Sequence, residues 1–174
     1  IMKLLSATIS YFRSKYDGNT DFSESEKDAI AKVLWVWSII FNDIKKDRKS
    51  SVGISSDLTT MMKQFEESGG AYLIYTSCRA KSVIRKYNKP LPEMSTLNAG
   101  ILLNIEIDLI KKILSFPDVI SKAGEMYDTV KIAEFLTSLA SAFNSYYNSV
   151  PILKGDAIDQ RAIITQCVTN VIDN

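Results

Sequence analysis

Histidine is absent from the 174 residues of the chain. That absence excludes Ser-His-Asp and Cys-His nucleophilic sites, histidine-ligated zinc and any imidazole acid–base role. Cysteine occurs only at Cys78 and Cys167, too few for a disulfide framework or for a structural zinc site on their own. The expectation is two reduced, largely buried thiols. Glycine is scarce at seven residues and proline at four, as in helices joined by short connections. Neither a Walker-type glycine loop nor a GxGxxG pattern is present. No apolar run reaches membrane-spanning length, and the first residues carry no signal-peptide pattern. An excess of one charge sign is missing too, since 21 Lys and Arg face 20 Asp and Glu for a formal net charge of +1. Any nucleic-acid contact must therefore come from a local patch. No complete catalytic apparatus can be assembled from these residues.

What is present is ordinary globular composition, 46% hydrophobic and 24% charged, which argues against disorder. The periodicity between breaks is helical. After a short apolar segment from Met2 to about Tyr16, "YDGNT" reads as a turn. Ser23 and Glu26 then form a capping-box pattern. Ile30, Val33, Leu34, Trp37, Phe41 and Ile44 fall on one helical stripe, which ends in the charged "KKDRKSS", read as a solvated helix end and loop. A short helix is expected over Leu58 to Phe65, with Gly69 and Gly70 separating it from the next. "KYNKPLPEM" is a proline-marked break. Leu97 to Leu114 reads as a helix apolar on most sides and hence central. Ser115 is a possible cap, with Pro117 near the first turn that follows. Asp128 or Thr129 can cap a long helix whose stripe is Ile132, Leu136, Leu139, Phe143 and Tyr146. The last helix, from about Ala157, is apolar around nearly its whole circumference and so is expected to be buried. No strand alternation persists, and the fold class is an all-α bundle of roughly six to eight helices.

"GGAYLIYTSCRAKSVIRK", residues 69 to 86, concentrates aromatic and basic side chains. At about 100° per residue, Tyr72, Tyr75, Arg79 and Lys86 share a sector of about 60°, while Leu73, Ala80 and Ile84 lie roughly 130° away. Two readings stand. In one, this is a core helix with half-buried tyrosines and ordinary surface charge. In the other, bases of unpaired RNA lie on the rings while the cations meet phosphates or stack. Within "FNSYYNS", Phe143 and Tyr146 continue an apolar stripe. Tyr147 sits about 60° off it, either a peripheral packing residue or an exposed ring beside a loop.

The same stretch resembles the segment of arginyl-tRNA synthetases that usually reads like GxTGPYLQYAHAR. "LSFPDVISKAGEMYDTVKIAEFLTSLASAFNSYYNSVPIL" is similar to a later segment of those enzymes, where a phenylalanine-proline turn precedes a helix of the type IAEYLxxLAxAFNxFY. "DLTTMMKQFEE" and "DQRAIITQCVTNVI" fall in the matching order, so that the resemblance runs over about residues 29 to 172. It implies the C-terminal, DALR-type anticodon-binding domain, residues 29–174, with residues 1–28 as a connecting helical segment. Tyr72, Tyr75 and Arg79 stand at the family's tyrosine, tyrosine and arginine positions, and Tyr147 at the aromatic position closing FNxFY. Arg161 matches an arginine of the last helix, with a structural role. Lys86 enters from the helical wheel rather than from the family.

The chain also departs from the pattern. Ile74 replaces the usual glutamine, Thr76-Ser77-Cys78 replaces an alanine-histidine-alanine type of sequence, and the threonine-glycine-proline is reduced to Gly70-Ala71. The family's Leu-Leu-Gly-Ile ending is missing, so the domain reads as C-terminally truncated. The ATP-binding histidine signature and lysine-serine-lysine loop of the catalytic domain are also missing, so ATP and magnesium are expected only for a catalytic domain absent from this chain. The implied partners are the anticodon stem-loop of tRNA for arginine and that catalytic domain, with no membrane and no DNA. The implied location is cytoplasmic, the mitochondrial matrix being an alternative. A free-standing domain acting as a protein-interaction scaffold without tRNA is the other functional reading.

Overall fold

A computed structural model describes residues 6, 9–11, 13, 14, 23–51, 55, 57–93 and 99–173. The chain divides into two compact units, residues 1–71 and 72–174. Among the described residues there are seven α-helices and no strand, as the helical periodicity requires. The segment expected before "YDGNT", that turn itself and the start of the expected Leu97 helix lie largely outside the described residues.

In the first unit, α1 (Glu24–Ile44) begins as the capping-box pattern predicts. Ser23 Oγ accepts from the Glu26 amide, and the Glu26 carboxylate accepts from the Ser23 amide at 2.8 Å, an arrangement worth about 1 kcal/mol. α2 (Leu58–Glu67) packs on it. Asp57 starts α2, its carboxylate accepting from the amide and hydroxyl of Thr60.

The stripe expected on α1 is rotated. Leu34 and Phe41 are buried, but Val33, Val36, Trp37 and Ile40 are exposed, while Ala31 and Ser38 are fully buried. The run "VLWVWSIIF" is apolar on most sides, so periodicity alone does not choose a face. Close backbone approach chooses it. A Cβ on Gly70 would stand 2.7 Å from the Trp37 carbonyl oxygen and 3.0 Å from Ser38 Cα. Only small side chains fit at such a crossing. Gly69, at φ +99°, makes the turn that precedes it.

α3 (Gly70–Tyr87) runs into the second unit, which continues with a 3₁₀ turn (Ala99–Ile101), α4 (Asn104–Leu114), α5 (Phe116–Met126), α6 (Val130–Ser149) and α7 (Ile158–Asp173). α4 packs on α5, α6 and α7, and α6 also meets α5 and α7. The core gathers Ala80, Val83, Leu109, Leu139, Phe143, Tyr146, Ile164 and Val168, each large apolar side chain contributing about 1.5–3 kcal/mol of burial. The central position of α7 follows the expectation, with residues Gln160 to Thr165 all buried.

α4 departs in part from its expectation. It starts at Asn104 and is central as expected, since it touches three other helices, but its outer face carries exposed Asp108 and Lys111, so it is amphipathic and not apolar on most sides. Its buried side includes the Glu106 carboxylate, which accepts from the Leu103 amide at 2.7 Å. Ser115 stands at the start of α5 without capping it, because its hydroxyl donates back to the Lys112 carbonyl. Pro117 fills the first turn as expected. α6 takes its side-chain support from Asp128, which accepts from the Val130 amide at 3.1 Å, and not from the Thr129 hydroxyl. Cys78 is exposed, contrary to the expectation of two buried thiols. Cys167 is half-buried, and burial raises its thiol pKa.

Candidate nucleic-acid interface

The register of α3 places its apolar and small side chains inward. Leu73, Thr76, Ser77, Ala80, Val83 and Tyr87 are buried, a stripe at i, i+3, i+4 spacing. It is fastened by polar contacts to α7: Ser77 Oγ donates to Asp173 at 2.7 Å, Lys81 pairs with the same carboxylate, and Tyr87 donates to Asp159 at 2.7 Å. With that stripe inward, Tyr72 and Tyr75 turn outward, 39% and 54% exposed.

Arg79 joins the two expected aromatic groups. Its guanidinium carbon lies 4.5 Å from the Tyr75 ring centroid and 4.5 Å from that of Tyr147. The cation is sandwiched between one ring from α3 and one from α6, and each contact is worth about 0.5–2 kcal/mol depending on solvent exposure. Two further bonds fix its plane: Nη2 donates to the Tyr75 hydroxyl and Nη1 to Asn144 Oδ1. Asn144 is itself committed, Nδ2 donating to Thr76 Oγ1 at 2.8 Å and to the Ala140 carbonyl at 3.0 Å. The Thr76 hydroxyl donates to the Tyr72 carbonyl at 2.8 Å. An unbroken chain of hydrogen bonds thus links Tyr75, Arg79, Asn144, Thr76 and the Tyr72 backbone.

Tyr147 is half-buried, which answers the two readings left open for it. Its ring packs 6.3 Å from Phe143 on the core side, while Arg79 covers it on another. The structure therefore brings together Tyr75, Arg79 and Tyr147. The Tyr72 ring stands exposed outside this stack. Lys86, also exposed, lines a cleft whose wall it shares with Tyr147. Sequence reasoning did not single out Asn144 or Thr76. A polar amide in the middle of an otherwise apolar helical stripe was the available signal, since a buried amide requires partners.

Arg161, expected to be structural, is buried with its Nε 2.7 Å from Glu106 Oε1. Its Nη1 donates to the carbonyls of Pro151 and Lys154. This pair holds the loop between α6 and α7.

A family model described as "DALR anticodon binding domain" matches residues 73–174, the part of the chain that holds Tyr75, Arg79, Asn144 and Tyr147. The chain belongs to this family. Among its relatives is the arginine–tRNA ligase of Fusobacterium nucleatum, 34% identical over 164 residues that make up 88% of this chain and 27% of that protein. The arginine–tRNA ligase of Lactococcus lactis is 32% identical over 84% of this chain and 25% of its own length. The Thermus thermophilus arginyl-tRNA synthetase structure superposes with a TM-score of 0.80 at 21% identity, covering 98% of this chain and 29% of that one. At that identity the superposition supports the fold alone. The chain spans about a quarter of the length of the curated relatives it matches. Among the described residues, no helix is long and apolar enough to cross a membrane, and no cluster of three or more potential ligands could hold a metal ion.

Proposed function

We propose that this chain holds the anticodon stem-loop of a tRNA for arginine on behalf of an arginine–tRNA ligase. The observation that carries this reading is the Tyr75–Arg79–Tyr147 stack, set at the surface beside the exposed Tyr72 ring in a DALR-family domain. Splayed loop bases stack on Tyr72 and on the open face of Tyr75. Tyr147 backs the platform. Arg79 uses two of its nitrogens within the stack and keeps further donors for a phosphate or base edge. Lys86 lies further along the helix, within reach of the backbone of the same loop.

Residues 29–174 form the binding domain in this reading, and residues 1–28 connect it to a catalytic domain. ATP and magnesium belong to that catalytic domain. The contribution here is positional: binding energy gained at the anticodon end places the acceptor end for chemistry elsewhere. The protein works where translation runs, in the cytoplasm. With few phosphate contacts and near-neutral charge, affinity is expected to be micromolar or weaker, in order-of-magnitude terms, and to fall as salt rises.

The test is a titration of the chain with labelled anticodon stem-loop RNA at low and moderate salt, beside an anticodon-substituted RNA and a Tyr75→Ala variant. Loss of one stacked base is expected to weaken binding by about 5- to 150-fold. Equal affinity for both RNAs, unchanged in the variant, would remove the reading.

A further inference from the structure

We propose that the cleft between the C-terminal half of α3 and the loop joining α6 to α7 is a nucleotide site. It takes one unpaired RNA nucleotide, with apolar walls against the base and Lys86 and Lys154 on the phosphate. The proposal rests on the reading of the chain as an RNA-binding domain and adds a second contact region to it.

The cleft has a volume of about 260 Å³. That is at the lower limit of small-molecule pockets, large enough for a base and too small for a duplex. Val83, Val150, Pro151, Ile152 and the Tyr147 ring supply its walls. Its polar lining is Ser82, Lys86 and Lys154, with no carboxylate among the lining residues. Both lysines are exposed, and neither forms an ion pair among the described residues. Apolar walls topped by two uncompensated cations select a flat, largely apolar body carrying negative charge, which is the chemistry of a nucleotide.

The loop that carries Lys154 is held in place before any ligand arrives. The Val150 amide donates to the Tyr146 carbonyl at 2.9 Å, and the Lys154 amide to the Pro151 carbonyl at 3.0 Å. Arg161 donates to the Pro151 carbonyl at 3.3 Å and to the Lys154 carbonyl at 2.9 Å, and is itself anchored by the buried Glu106. A preformed site avoids the ordering cost of a mobile loop. Because Tyr147 forms both the cleft wall and one side of the Arg79 sandwich, the cleft continues the aromatic platform. A strand crossing the platform has its next phosphate near the two lysines.

The experiment is a salt series of titrations of the full 174-residue chain with labelled anticodon stem-loop RNA, using wild type, Lys154→Ala, Lys86→Ala and Lys122→Ala. Lys122 is exposed on α5 and serves as the control for general charge. Lys154→Ala is expected to weaken binding by about 3- to 10-fold at low salt and to reduce the salt slope by about 0.7, with Lys86→Ala similar and Lys122→Ala unchanged. Backbone amide resonances of Val150, Ile152, Leu153 and Lys154 are expected to shift on RNA addition. Wild-type affinity in Lys154→Ala, or an equal loss in Lys122→Ala, overturns the site. Binding that falls with Tyr75→Ala but not with Lys154→Ala overturns the cleft alone. A wild-type chain that does not bind the RNA overturns both readings.

Discussion

The Nε of Arg161 lies 2.7 Å from Glu106 Oε1, and that carboxylate is completely buried. The other carboxylate oxygen accepts from the Leu103 amide, so the charge is compensated by an ion pair and a helix-start hydrogen bond together. Burying two charges is expensive, and such a pair tolerates the loss of both members better than the loss of one. Glu106→Ala or Arg161→Met alone is expected to cost about 3–5 kcal/mol in urea unfolding, whereas Glu106→Leu with Arg161→Met recovers most of it. Single variants with wild-type midpoints would show that the pair is not what holds α4, α7 and the α6–α7 loop together.

Asn144 touches two rings only through Arg79, yet it decides where the guanidinium sits. Asn144→Ala removes the Oδ1 acceptor and leaves the buried Thr76 hydroxyl without its donor, at an expected cost of about 1–3 kcal/mol. It is expected to weaken anticodon stem-loop binding as well. Arg79→Lys should do the same, since an ammonium cannot fork between a hydroxyl and an amide. Urea unfolding and RNA titration of both variants check this. Full RNA affinity in a destabilised Asn144→Ala chain would separate the network from the interface.

Two helical glycines are expected to respond in opposite directions to the same change. Gly70→Ala drives a methyl against the Trp37 carbonyl and the Ser38 backbone, neither of which can move aside as a flexible side chain would. About 1–3 kcal/mol of destabilisation is expected. Gly124, within α5, has no atom within 4 Å of an added Cβ, and Gly124→Ala is expected to stabilise by about 0.5–1 kcal/mol. Thermal melts of the two variants, shifting down and up respectively, are the measurement.

Tyr87 and Tyr146 are expected to lower stability at alkaline pH. The hydrogen bond from Tyr87 to Asp159 raises its phenol pKa above the ordinary value of 10.0. Burial, reinforced by the negative charge of Glu106, raises that of Tyr146 much further. The Tyr146 hydroxyl feels that carboxylate electrostatically but makes no hydrogen bond of normal geometry with it. Because both pKa values are raised on folding, the unfolded chain releases these protons first. Their contribution is complete below about pH 10 and is lost as pH rises beyond it. Urea midpoints are expected to fall above that pH, less steeply in Tyr87→Phe. A midpoint constant through the phenol range would contradict the assignment.

Much of this was legible locally. The Ser23–Glu26 box, Pro117 in the first turn of α5 and the all-round burial of α7 follow from short-range chemistry and were read correctly from it. The face of α1 was not, because its apolar residues surround the helix and the choice fell to a close crossing of Gly70 on the Trp37–Ser38 backbone. The same holds for α4: a stretch read as apolar on most sides proves amphipathic, with an inward carboxylate whose partner arrives from another helix.

At the interface the division is sharper. Helical periodicity, a property of neighbouring residues, determined that Tyr72, Tyr75 and Arg79 lie along one side of α3 and that Tyr147 leaves the apolar stripe of α6. Which ring meets which cation was decided only by tertiary structure. Arg79 and Asn144 stand 65 positions apart in the chain, and no local preference encodes a contact at that separation. The docking of α3 beside α6 brings the second ring onto the guanidinium, and the desolvation this imposes on a cation is met by two aromatic faces and a buried amide.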